Sequence, residues 1–401
     1  MGGSLEKLFK VANVSLGAML VLTIVTYYLA ANGKINNFPT YLAAIAFIPF
    51  IIIRPDTLFA SFSRPIVVLV TVFLLYLVAS AAWSDNASPL LVAKYFGYAF
   101  LLVSFVLGIA VISSQYPEFL KWLLLVTVLS ATISCVYSIF LYFYLPDYQP
   151  LIEERLYAMG RLRNPVIAAL SYGIAATICA NLALLHSRWM RFLWSICFLI
   201  LLAGILFTET RSVWVGLIVS IPASVILQKD ISLKSKAVIV GSFFAIVVIT
   251  IATTWLAGYW GEVLHRATSF RPEIWMKTLE DTYQVNLFLG NGIASNSELI
   301  IGGITFQHAH SIYFSTFFYG GLVGIFLLLV LIGACFRELG KLGFTPIVVL
   351  ALSTFLFAVS SLFIDGDRLL EKIDFHWLVF WLPVALCLVA TSKGSVDDIV
   401  L

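Results

Sequence analysis

"HAHSIYFSTFFYGGLVGIFLLLVLIGACF", residues 308–336, passes from two histidines into a long run that carries no charge. A helix needs about 20 apolar residues to cross the hydrocarbon of a bilayer, and residues 311–335 supply them. The run does not alternate with period two, so a barrel strand is excluded. Working outward from it, similar runs recur over almost the whole chain. The 401 residues are 61% hydrophobic and 11% charged, against roughly 25% charged in soluble domains.

The expectation is therefore an all-α polytopic membrane protein forming a single integral membrane domain over residues 1–401. Twelve spans are expected, at about 12–31, 39–53, 64–83, 89–113, 119–145, 165–186, 191–208, 212–228, 237–258, 311–335, 345–364 and 374–391. A long loop, residues 259–310, separates the ninth from the tenth. The opening "MGGSLEKLFK" shows no cleavage pattern, and the first helix is expected to stay as an anchor. Five cysteines lie inside apolar runs without a CxxC pair, which suits small buried hydrophobes better than disulfides or zinc.

An even number of spans puts both termini on one side. If that side is cytoplasmic, its segments hold 13 of the 24 basic residues and the outer segments hold ten, with Lys94 inside a span. The compact basic turns "HSRWMR", "QKDISLKSK" and "FRELGKLG" all fall on the inner side, as the positive-inside rule expects. Outside, arginine outnumbers lysine seven to three. Guanidinium forks match phosphate oxygens at two points, so three arginine-bearing outer segments suggest an anionic ligand.

The first is "TETRSVW", where Glu209 and Arg211 interrupt apolar sequence before the eighth span; a snorkelling ion pair is the structural alternative. The second is "HRATSFRPEIWMK" in the long loop. There Arg266 and Arg271 precede a helix start marked by Pro272, with Trp275 just inside it. The third is "MGRLRNP", with Arg161 and Arg163 ahead of the sixth span. Solvated loop charge is the alternative for the second. "FIDGDRLLEKIDFHW" contains Asp365-Gly366-Asp367, a DxD tripeptide that is also ordinary turn chemistry. No P-loop, GxGxxG or HExxH occurs, so no nucleotide cofactor or zinc site is indicated. His308 and His310 cap the tenth span; a histidine can also accept a proton near neutral pH, so a base that activates a hydroxyl is the functional counterpart.

His310, Ser311, nine residues, Gly321 and Gly324 resemble the signature of the bacterial O-antigen ligases, in which His and Asn, Ser or Gln precede Gly-x-x-Gly by nine positions. "TETRSVW", "SFRPEIW" and "LGNG" are also similar to segments of the wider O-antigen ligase and polymerase superfamily, as is the layout of the spans. The resemblance implies a GT-C-type inverting glycosyltransferase of the bacterial inner membrane, with its active site and long loop facing the periplasm. Its partners would be undecaprenyl-pyrophosphate-linked O-antigen as donor and the lipid A core as acceptor, with membrane lipids around it. No cofactor, required metal or nucleic acid is implied.

On that basis His310 is the expected catalytic base, and Arg211, Arg266 and Arg271, with Arg161 and Arg163, hold the pyrophosphate. His308, Glu209, Trp275, Lys94 and Asp367 are possible supporting residues. Gly321 and Gly324 are read as small residues that let helices approach. Rival readings are an O-antigen polymerase using the same donor, an oligosaccharyltransferase acting on protein hydroxyls, and, in a different class, a transporter or flippase of lipid-linked glycan.

Overall fold

A computed structural model describes residues 2–55, 64–144, 155–256 and 270–392. Thirteen helices among them are α1 (Gly2–Leu29), α2 (Gly33–Ile53), α3 (Pro65–Ser80), α4 (Pro89–Gln115), α5 (Pro117–Tyr144), α6 (Pro165–Leu185), α7 (Arg188–Thr208), α8 (Arg211–Ile226), α9 (Leu233–Leu256), α10 (Arg271–Asn286), α11 (Ile312–Gly340), α12 (Pro346–Ile364) and α13 (Trp377–Ala390). A hairpin of β1 (Leu299–Ile301) and β2 (Ile304–Phe306) is the one sheet among the described residues. Nine of these helices are long and apolar enough to cross a membrane, while α8 and α13 are apolar but shorter. The protein is an all-α polytopic membrane protein.

Local sequence sets the helix starts. Proline stands at the first position of α3, α4, α6 and α12, where its missing N–H costs nothing and its φ is already helical. Ser88 and Asn164 cap α4 and α6 by accepting backbone N–H bonds from the first turn.

The bundle centre joins α6, α8 and α12. Asn181 donates to Ser224 and to Ser353, and Thr177 meets Ser220, so polar side chains bridge three helices inside the core. Gly173 and Gly216 leave room for the Phe357 ring, which a Cβ at either position would overlap. The pairings 177 with 220 and 181 with 224 make α6 and α8 parallel, whereas Gly173 at Phe357 and Asn181 at Ser353 make α12 antiparallel to both. The beginnings of α6 and α8 therefore share one end of the bundle with the end of α12. That end also gathers the α1–α2 turn, through Arg161, and the α3–α4 turn, through the Asp85 amide on Ser295.

The tenth expected span is not one straight helix. Gly321 adopts φ 59° and ψ −156°, a conformation open essentially to glycine alone, and breaks α11. The break frees backbone groups at a place where water is scarce, and residues 287–292 satisfy them. The Leu322 and Val323 amides donate to the Leu287 and Phe288 carbonyls, and the Asn291 and Gly292 amides donate to the Phe318 and Tyr319 carbonyls. A Cβ on Gly290 would stand 2.4 Å from the Gly321 nitrogen, and one on Gly321 would stand 2.4 Å from the Phe288 oxygen. The signature glycine Gly321 thus forms a docked backbone junction, where a close helix–helix approach was expected of it.

Candidate active site

Four segments converge where α12 ends. Asp365 follows α12, and its buried carboxylate Oδ1 accepts a bond of 2.9 Å from Arg271 Nη2 at the start of α10. Arg271 Nε donates to the Ile364 carbonyl at 2.9 Å, which fixes the guanidinium plane. The same Asp365 oxygen lies 3.8 Å from His310 Nδ1, with the carboxylate 4% exposed and the imidazole 34% exposed. One carboxylate oxygen therefore sits between a guanidinium and an imidazole that stay within reach of the exterior.

His310 is held in an unusual backbone state. Its φ is 50°, and only Glu209, with φ 52°, shares a positive φ among the described non-glycine residues. Such states cost about 1–3 kcal/mol and gather at functional sites. Two holds are visible on the loop: the His310 amide donates to His308 Nδ1 at 3.2 Å, and Trp275 Nε1 donates to the Ala309 carbonyl at 3.1 Å. Trp275 is in turn stacked on Phe314 at 4.8 Å and meets Phe363 edge-on, so α10, α11 and α12 clamp the histidine loop together.

The two rings lie 4.2 Å apart. Burial, followed by the neighbouring His308 and against the pull of Asp365, pushes the His310 imidazole down to about 4. Burial also lowers His308, opposed by Asp367. Both rings are neutral at pH 7, and a neutral imidazole is the form able to accept a proton.

Asp367 lies across the same turn. Its Oδ1 is 3.5 Å from the Tyr319 hydroxyl, its Oδ2 is 3.5 Å from Arg368 Nε, and the Arg368 guanidinium stacks over the Tyr319 ring at 5.3 Å. The Asp367 amide donates to Nε2 of buried His376, whose Nδ1 pairs with Asp374 at 2.7 Å. Among the described residues, no group of three or more His, Cys, Asp or Glu side chains is arranged to hold a metal ion.

The remaining described sequence candidates lie at the same end of the bundle. Arg211 and Glu209 are exposed at the start of α8, at the same bundle end, and Arg155 braces their turn by donating to the Thr208 carbonyl and Thr210 Oγ1. Arg161 spends its guanidinium on Asn36, Asn37 and the Gly33 carbonyl at the start of α2, and Arg163 is exposed one turn on. Lys94 is exposed on α4 between the rings of Tyr95 and Tyr98. Arg266 lies outside the described residues. His310, His308, Arg271, Trp275 and Asp367 are thus brought together, while Arg161 and Lys94 have partners elsewhere at that end.

Sequence reasoning missed Asp365 as the connecting group, and missed His376. The signal was present: "FIDGDRLLEKIDFHW" concentrates three acidic side chains before Lys372, counting Glu371, and a further Asp and His after it, at the outer end of two apolar runs. As a tripeptide, Asp-Gly-Asp pointed to no more than a bare DxD match or a turn.

Known proteins resemble this chain in sequence. A family model described as O-antigen ligase matches residues 196–329, which include Arg211, Arg271, both histidines and the Gly321 break. An O-antigen ligase of Pseudomonas aeruginosa is 27% identical over 344 residues, covering 84% of this chain and 80% of the relative. The signature of residues 310–324, the matched domain and a relative running along most of the chain are thus in accord, and each likens the chain to O-antigen ligases.

Proposed function

We propose that the protein is an O-antigen ligase that transfers polysaccharide en bloc from undecaprenyl pyrophosphate to a sugar hydroxyl of the lipid A core, at the periplasmic face of the inner membrane, through a GT-C-type architecture of twelve spans. The observation that carries the reading is the Asp365 oxygen shared between Arg271 and His310. It ties a phosphate-binding group to a proton acceptor at a fixed separation.

In this reading His310, neutral before the substrates arrive, takes the proton of the acceptor hydroxyl as its oxygen attacks the anomeric carbon. The bond from that carbon to the pyrophosphate oxygen breaks on the opposite face, giving inversion. Undecaprenyl pyrophosphate departs carrying the electron pair, and Arg271, with Arg211 at the rim, offsets the charge it gains. Pyrophosphate brought beside His310 raises the imidazole's affinity for a proton, so donor binding itself strengthens the base. His308 and Asp367 orient it, and Trp275 fixes the loop. Arg161 acts as a brace for α2 in this scheme, and Arg163 and Glu209 shape the rim. The reaction needs no cofactor.

The test is a reconstituted transfer. Purified protein, undecaprenyl-pyrophosphate glycan and lipid A core are combined in nanodiscs, with and without chelator. Glycosylated core is expected with wild type and none with a well-folded His310→Ala variant. Elongation of the lipid-linked chain with the core left unmodified would make the protein a polymerase, and normal ligation by His310→Ala would sink the base assignment.

A further inference from the structure

Helix α10 has three surfaces. One, with Ile274, Thr278 and Thr282, is buried against the rest of the protein. A second carries Glu273, Lys277, Glu280 and Asp281, where Lys277 pairs with Glu280 and Asp281 along the helix. The third is apolar and exposed: Met276 is 67% exposed, Leu279 37% and Tyr283 71%. Positions 276, 279 and 283 fall on one stripe by helical spacing, beside the charged flank and not mixed into it.

Beyond the helix, Phe288 extends the stripe with 64% exposure. The stripe then meets the exterior of a membrane-crossing helix. The Phe288 carbonyl accepts the Val323 amide, and the outward side of α11 from there on is Leu322, Phe326 and Leu329, all exposed and apolar. The apolar surface of the loop is therefore continuous with surface that a bilayer covers.

We infer that the segment Arg271–Gly292 is a membrane-surface element of the protein, with Met276, Leu279, Tyr283 and Phe288 set into bilayer lipid and the charged flank facing water. A helix partitioned three ways among protein, apolar exterior and charge is what the boundary of protein, lipid and water selects. Because residues 287–292 also supply the partners for the broken backbone at Gly321, the element cannot leave the bilayer without orphaning peptide groups there, which is costly. The depth of Arg271, at the other end of the same helix, is thereby fixed relative to the lipid surface.

The test does not depend on catalysis. Four of the five cysteines are buried, so a Cys197→Ala background allows a nitroxide to be attached at one introduced cysteine at a time. Full-length protein is labelled as Met276→Cys, Tyr283→Cys or Phe288→Cys, as Glu273→Cys or Glu280→Cys, and as Phe326→Cys for reference. Each is reconstituted in phosphatidylethanolamine and phosphatidylglycerol nanodiscs. Collision with oxygen is compared with collision with a water-soluble nickel chelate.

The first set is expected to favour oxygen as Phe326 does, with a ratio severalfold above that of the charged-flank set. A water-like ratio at Met276 and Tyr283, or a lipid-like ratio on both flanks, would overturn the inference. Bimane fluorescence, quenched by brominated lipid at Met276→Cys and not at Glu280→Cys if the inference holds, gives an independent readout if a spin label disturbs one position.

Discussion

Replacing Asp365 by asparagine keeps the shape of the residue and an oxygen acceptor but removes its charge. Two couplings weaken at once. At 3.8 Å from His310 Nδ1, an effective dielectric of about 40–80 gives roughly 1–2 kcal/mol between a carboxylate and a protonated imidazole. The part-exposed ring keeps the value near the lower end, or about one pKa unit. At 2.9 Å from Arg271 Nη2, exchanging a charge-assisted bond for a neutral one costs about 1 kcal/mol.

Asp365→Asn is therefore expected to lower kcat/KM about tenfold. It should move the acid limb of the pH profile downward by about one unit, because the imidazole loses the neighbour that favours its protonated form. Thermal stability should fall modestly, since Arg271 retains the Ile364 carbonyl. The assay is initial-rate transfer across pH in nanodiscs, beside Asp367→Asn, whose carboxylate has a weaker influence on His310. Wild-type rate and an unmoved acid limb in Asp365→Asn would refute the idea that this oxygen couples the two groups.

Other outcomes follow from the same geometry. With His310 pushed down to about 4, the free protein keeps that imidazole neutral well below pH 6.5; under the proposed mechanism kcat/KM should hold down to about pH 4–5, and an acid limb at 6.5 would contradict the burial of that ring. Gly321→Ala places a Cβ 2.4 Å from the Phe288 oxygen in a glycine-only conformation, so it should cost about 3 kcal/mol or more and sharply lower the melting temperature. Gly324→Ala, with its nearest contact at 3.2 Å, should be far milder. Arg161→Ala removes the bonds to Asn36, Asn37 and Gly33 and should cost about 2 kcal/mol of stability while leaving the donor KM unchanged; a raised donor KM at normal stability would return Arg161 to the pyrophosphate.

Membrane character and helix positions were legible because each is written locally. Apolar runs of helical length need no tertiary information, and prolines at 65, 89, 165 and 346 mark where the helices begin. The arginines were legible as a set, since guanidinium is costly near hydrocarbon wherever it falls. Their division of labour was not, because it depends on which side chain happens to lie opposite. Arg161 finds two asparagines more than 120 positions away in sequence, whereas Arg271 finds Asp365 across 94. Nothing in "GRLRN" or "SFRPE" distinguishes these fates.

The same limit explains the glycines. Gly-x-x-Gly in an apolar run is compatible with close helix packing, and only the docking of residues 287–292 reveals that Gly321 ends one helix and starts another. A break this deep in an apolar run is tolerated when a second segment satisfies its backbone, so the "LGNG" and Gly321 segments make sense only as a pair. That pairing sets the end of α10, while the Arg271 bond to Asp365 sets its beginning. The helix is pinned at both ends, by a charge pair and by a backbone junction. The histidine loop is held to it through Trp275, so the strained φ of 50° at His310 is braced by a helix that is itself anchored to the bundle.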